Sequence, residues 1–125
     1  MADTQRPAKT VLVVEDDFST REGLAASLKR RGFDVATARN GAVAVALLAS
    51  WVVPDLVILD PLVPYGPGFL EEFRRSRHRS VPVIVTGGAD SSPAWALGHG
   101  CALLLHKPID EDQLIAAIGG VLGGR

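Results

Sequence analysis

The sequence predicts an α/β domain built on a parallel sheet covered by helices on both faces. Short apolar runs at 11–14, 56–59, 83–85 and 102–105 show no polar alternation, the pattern of strands buried on both sides. Helical segments separate these runs in strict alternation, βαβαβαβαβα. The length of 125 residues allows one such domain with a real core.

Composition narrows the functional classes. Hydrophobic residues at 47% and charged residues at 22% describe a soluble globular chain. A net charge of −1 supplies no field for direct nucleic-acid binding. The lone cysteine, Cys101, cannot form an internal disulfide and fits a small buried residue in a reducing cytoplasm. No apolar run is long enough for a membrane span, and the start of the chain lacks a signal-peptide core. Residues 1–9 are polar and contain proline, so they are expected to be a flexible tail; the domain is expected over 10–122, with 123–125 a tail or the start of a linker.

Taken in order, the first strand covers 10–14 and ends in Glu15-Asp16-Asp17. Ser19 and Glu22 have capping-box spacing for the helix that follows, and Gly32 is its expected stop. The run 34–38 is a less apolar strand, expected at an edge, and Asn40 can cap a helix closed by Val52-Val53-Pro54. The central strand ends on Asp60, and Pro61 to Gly68 reads as a turn segment before a helix beginning near Phe69. That helix has acids early and arginines late, matching its dipole, and the run Arg74 to Arg79 reads as a solvated helix end. A fourth strand spans 81–86, with Pro82 near its start, where it is tolerated. Ser92 and Pro93 have the form of an N-cap and first helical residue of a short helix ended by Gly98 and Gly100. The last strand, 102–106, leads through Lys107-Pro108 to a helix capped by Asp110, with Gln113 at capping-box spacing, running to Leu122. Trp95 reads as core packing, with a role as a partner anchor the rival; Trp51 is core or rim. His78, His99 and His106 have no metal spacing and read as structural or surface residues.

Four strands end in groups a core does not need: Glu15-Asp16, Asp60, Thr86 and Lys107. In a parallel sheet these ends share one edge, where sites of open α/β folds lie. Carboxylates gathered there repel at low effective dielectric, and a divalent cation removes the conflict. Oxygen donors without His or Cys suit Mg²⁺. A carboxylate nucleophile, a metal, one fixed cation and a hydroxyl are the parts needed for phosphoryl transfer to Asp60.

The chain resembles the receiver domain of two-component response regulators. The resemblance rests on VLVVEDD at 11–17, PDLVILD at 54–60, Pro64 and Gly68 in the following loop, PVIVT at 82–86 and KP at 107–108, in this order and spacing. It implies a flavodoxin-like five-stranded parallel sheet of order 2-1-3-4-5 with five helices. It implies Asp60 as phosphoacceptor, with Asp16 and Asp60 binding Mg²⁺ directly, the backbone carbonyl of Leu62 completing the protein ligands and Glu15 binding through water. Lys107 would pair with the phosphoryl group, Thr86 would turn its hydroxyl toward it, and the Lys107-Pro108 bond would be cis. The implied function is a phosphorylation switch, not an enzyme beyond its own phosphorylation and dephosphorylation. Its partners would be a sensor histidine kinase or histidine phosphotransfer protein and a downstream protein or an output domain absent from this chain. A homodimer through the fourth helix, fifth strand and fifth helix is a further expectation.

Four departures from the family pattern stand out. Leu104 occupies the place of the usual aromatic, Gly87-Gly88 follows Thr86, Pro61 follows the acceptor, and the stretch from Thr86 to Lys107 is short. Leu104 and the glycine pair motivate an alternative: a phosphorylation-independent docking or dimerisation module with a weakened switch. A flavodoxin-type phosphate site is excluded by the anions Glu15, Asp16 and Asp17 after the first strand. Asp-nucleophile hydrolases usually carry a second Asp two residues on, where this chain has Leu62.

Overall fold

The computed structural model describes residues 7–123; the ends of the two expected tails, 1–6 and 124–125, lie outside the described residues. Five strands and five helices alternate: β1 (Thr10–Val14), α1 (Phe18–Arg30), β2 (Asp34–Ala38), α2 (Gly41–Ser50), β3 (Leu56–Leu59), α3 (Gly66–Arg74), β4 (Val83–Gly87), α4 (Pro93–Gly98), β5 (Leu103–His106) and α5 (Glu111–Val121). All pairings are parallel, and the order is β2-β1-β3-β4-β5. The weakly apolar β2 is at an edge, as its composition requires.

The unbroken apolar runs have a direct structural reason. Alternate residues of each strand face opposite sides, and both sides are covered. Leu12, Val14, Val57, Leu59, Val83 and Val85 meet Phe69, Phe73, Ala44 and Ala96 of α2, α3 and α4. Val11, Val13, Leu56, Ile58 and Ile84 meet Leu24, Leu28, Leu114 and Ile118 of α1 and α5. His78 belongs to the first side, buried and stacked on Phe73 with ring centroids 6.4 Å apart. Trp95 packs partly against this core and stacks on His99, whereas Trp51 is exposed.

The helix starts show where local chemistry departs from spacing alone. α1 is capped by Asp17, one turn before Thr20, and not by Ser19: the Asp17 carboxylate accepts from the Thr20 N–H and hydroxyl. A carboxylate is a strong cap, and these bonds hold its pKa below the ordinary value. Asn40, Ser92 and Asp110 cap α2, α4 and α5 as the sequence indicates. α3 starts at Gly66, inside the expected turn segment, because Pro67 is compatible with a first helical turn. β4 begins at Val83, after Pro82, and extends to Gly87, which pairs with His106; β5 begins one residue later than expected, at Leu103.

The loop between β3 and α3 is packed without slack. A Cβ on Gly41 would lie 1.9 Å from the Tyr65 carbonyl oxygen, and one on Gly66 would lie 2.4 Å from that of Pro61. The Gly41 N–H donates to the Pro64 carbonyl at 2.8 Å. Tyr65 itself adopts φ 58°, and its hydroxyl donates to Glu72.

Candidate phosphoacceptor site

The register sets the site. Val14 pairs with Leu59, Leu59 with Val85, and Gly87 with His106, so Glu15, Asp60, Thr86 and Lys107 arrive at one edge of the sheet. Glu15, Asp60 and Thr86 are buried, at 1%, 8% and 1% exposure, while Asp16 faces solvent. Glu15, Asp16 and Asp60 each bring a carboxylate oxygen within 4.8 Å of the others. The sequence-predicted acids, lysine and threonine are therefore brought together, with none displaced.

Lys107 lies between the two buried acids. Its Nζ is 2.7 Å from Asp60 Oδ2 and 2.7 Å from Glu15 Oε1. Burial of the ammonium is the largest single influence on its pKa and acts downward. Hydrogen bonds and charges from Asp60 and Glu15 together outweigh it, and Lys107 is held above the ordinary lysine value. Asp60 Oδ1 accepts from the Leu62 N–H at 2.9 Å, and Glu15 Oε2 accepts from the Asp17 N–H at 3.0 Å. Glu15 Oε1 is fully buried, and the Lys107 ammonium is its ion-pair partner. One ammonium leaves two of the three negative charges uncompensated. Two uncompensated charges and an all-oxygen donor set fit a hard divalent cation held by these acids. The Lys107-Pro108 bond is cis, as the resemblance implies.

Arg21 is a site residue that the sequence reading missed. Its Nη1 donates to the carbonyls of Glu15 and Asp16 at 3.0 and 3.3 Å, fixing the backbone that carries the acids. The guanidinium lies over Phe18, 5.5 Å from the ring centroid, which holds it there. Its place in the first turn of α1 after an acidic run was the available signal.

Beside Asp60 lies a cavity of about 410 Å³ between β4, β5 and α4, walled by Leu62, Pro67, Val85, Trp95 and Leu104. Asp60, Thr86, Ser91 and Ser92 give it a polar rim. Leu104, where the resemblance leads to the expectation of an aromatic ring, forms part of its wall.

A parallel 2-1-3-4-5 sheet with acids, a threonine and a lysine at its carboxyl edge defines a class of signalling domain. Residues 11–119 match the family described as the response regulator receiver domain, and the chain belongs to that family. It is similar to protein PilH of Pseudomonas aeruginosa, 32% identical over 119 residues that cover 91% of this chain and 98% of PilH. It is also similar to the response regulator MprA of Mycolicibacterium vanbaalenii, 36% identical over 116 residues; there the match covers 90% of this chain and 49% of the relative, so this chain spans about half of MprA. Among solved structures, the receiver domain of the sensor histidine kinase PA1611 from Pseudomonas aeruginosa, which has a magnesium ion in its active-site cleft, superposes with a TM-score of 0.82 at 23% identity, over 94% of this chain and 99% of that one. The protein is thus a receiver domain of two-component response regulators.

Proposed function

We propose that Asp60 accepts a phosphoryl group from a phosphohistidine on a sensor histidine kinase or a histidine phosphotransfer protein. The observation that carries this reading is the Lys107 ammonium, 2.7 Å from the carboxylate of a buried Asp60 and within an acidic trio. An Asp60 carboxylate oxygen forms a bond to phosphorus as the phosphorus–nitrogen bond breaks, and the donor imidazole leaves with the electron pair and takes up a proton. Lys107, the Thr86 hydroxyl and the Gly87 N–H are placed to meet the phosphoryl oxygens. Asp16, Asp60, the Leu62 carbonyl and, through water, Glu15 would hold Mg²⁺, whose positive charge offsets that of the acids and the incoming phosphoryl group. The domain, 10–122, acts on itself alone: phosphorylation and its reversal are its only chemistry.

The acyl phosphate then shifts the population between two surfaces. The signal leaves through α4, β5 and α5, toward a downstream protein, an output domain outside this chain or a second copy. No described helix is long and apolar enough to cross a membrane, and phosphoryl transfer from a histidine kinase supports a cytoplasmic location. The direct test is intact mass after incubation with Mg²⁺ and phosphoramidate. An adduct on the wild type and none on Asp60→Asn supports the reading; a folded wild type that stays unmodified, with candidate kinases as well, overturns it.

The open cavity beside Leu104 favours one second reading, a docking or dimerising module that keeps the site without switching. Partner affinity and sedimentation that are unchanged at complete phosphorylation would establish it.

A further inference from the structure

The two glycines after Thr86 should make the loop that borders the phosphoryl site loose, since each backbone position there has wide conformational freedom. The structure shows what restrains it. Gly87 pairs with His106 at the end of β5, and the Lys107 N–H donates to the Gly87 carbonyl at 2.7 Å. One residue further, His106 Nδ1 lies 3.0 Å from the Gly88 carbonyl oxygen. The same oxygen accepts from the Ser91 N–H at 3.0 Å, which closes the turn leading into α4. A carbonyl only accepts, so Nδ1 carries the proton in the neutral ring and keeps it in the cation. The turn is tight: a Cβ on Gly87 would lie 2.1 Å from Ser91 Oγ.

We propose that His106 is a positioning residue for phosphoryl transfer at Asp60: its Nδ1–H holds the Gly88 carbonyl, and through it keeps the Gly87 N–H and the Thr86 hydroxyl in place facing the acceptor. The inference rests on the reading of Asp60 as phosphoacceptor. Its logic is one of adjacency. Lys107 grips the Asp60 carboxylate while its neighbour His106 grips the opposing loop, so one short strand end fixes both banks of the site. His106 is exposed on a strand end, outside both hydrophobic clusters, so its replacement leaves the core intact.

The test uses the full chain and three variants. Asparagine places an amide N–H where Nδ1–H stands, glutamine places its amide at the Nε2 position, and alanine has no donor. The rate of Asp60 phosphorylation by phosphoramidate should fall about fivefold in H106A and H106Q, the rate equivalent of roughly one net hydrogen bond. H106N should recover most of the wild-type rate. The Mg²⁺ concentration for half-maximal rate should not change in any variant, because the acids are untouched. Amide hydrogen exchange over 87–91 should accelerate in H106A and H106Q and stay slow in H106N. Equal rates in all four proteins, or losses in H106N matching those in H106A, would overturn the inference. A wild type that takes no phosphoryl group would overturn the reading of Asp60 instead. Exchange over 87–91 would then still decide whether His106 pins the loop, and unchanged exchange in H106A would sink that too.

Discussion

Removing one charge from the acidic trio should stabilise the metal-free protein. In Asp16→Asn the side chain keeps its size, the Asp16 carbonyl still accepts from Arg21, and no hydrogen bond of the Asp16 carboxylate is lost among the described residues. What disappears is repulsion with Glu15 and Asp60, whose oxygens lie within 4.8 Å. At that separation a like-charge pair costs about 0.9 kcal/mol in water and about 3.5 kcal/mol at an effective dielectric of 20. Asp16 faces solvent, so the lower figure governs, and the Lys107 ammonium, 2.7 Å from both acids, offsets about one of the two pairs, leaving about 1 kcal/mol. For a domain of this size the melting temperature should rise by roughly 3–5 °C at low salt without Mg²⁺. With Mg²⁺ the order should reverse. Wild type gains about 2.7 kcal/mol at a hundredfold excess over the dissociation constant, and the variant, short of a ligand, gains little. Urea titrations with EDTA and with Mg²⁺ give both numbers. A variant less stable than wild type in EDTA, or one that gains as much from Mg²⁺, would refute the electrostatic account.

Three further predictions concern packing and read-out. Trp95 borders the cavity that opens at Asp60 while Trp51 is exposed, so in Trp51→Phe the remaining emission should shift on phosphorylation; constant emission at full adduct would contradict that. Gly41→Ala should cost about 1–3 kcal/mol in urea unfolding, because its Cβ would enter the Tyr65 carbonyl, and a neutral result would mean that the loop yields. Burial, and to a lesser degree Arg77, hold His78 below its ordinary value of 6.5. The unfolded chain therefore binds a proton that the folded one refuses, and stability is lost as pH falls through 6.5 toward the lowered folded value. In His78→Phe, melting temperatures between pH 7 and 5 should show a shallower fall than in wild type.

Most of the architecture was legible because burial on both faces leaves an unmistakable mark. No surface strand reads as Leu56-Val57-Ile58-Leu59, and polar residues directly after such runs stand out. The gathering of Glu15, Asp16, Asp60, Thr86 and Lys107 followed from parallel topology alone, before any distance was known. What stayed hidden depends on geometry between side chains. Asp17 takes the cap from Ser19 because a carboxylate reaches two donors of Thr20 at once. The early start of α3 could not be read from a Pro- and Gly-rich stretch that is equally a turn. Arg21 and His106 look like surface residues in the sequence; their partners are backbone carbonyls, which carry no residue-type signal.

The packing of Gly41 against Tyr65 makes the two sides of Asp60 mechanically unequal. On one side the loop after β3 and the start of α2 are wedged together with no room for a single added carbon, so they can move only as one body. On the other side stand a six-residue helix and a loop with two glycines. A strain arising at Asp60 would meet a fixed abutment on one side and, on the other, a turn held by hydrogen bonds to the Gly88 carbonyl, which yield at less cost than a backbone clash. Labels or fused partners intended to leave signalling untouched belong on the α2 side, and those intended to sense it belong on α4.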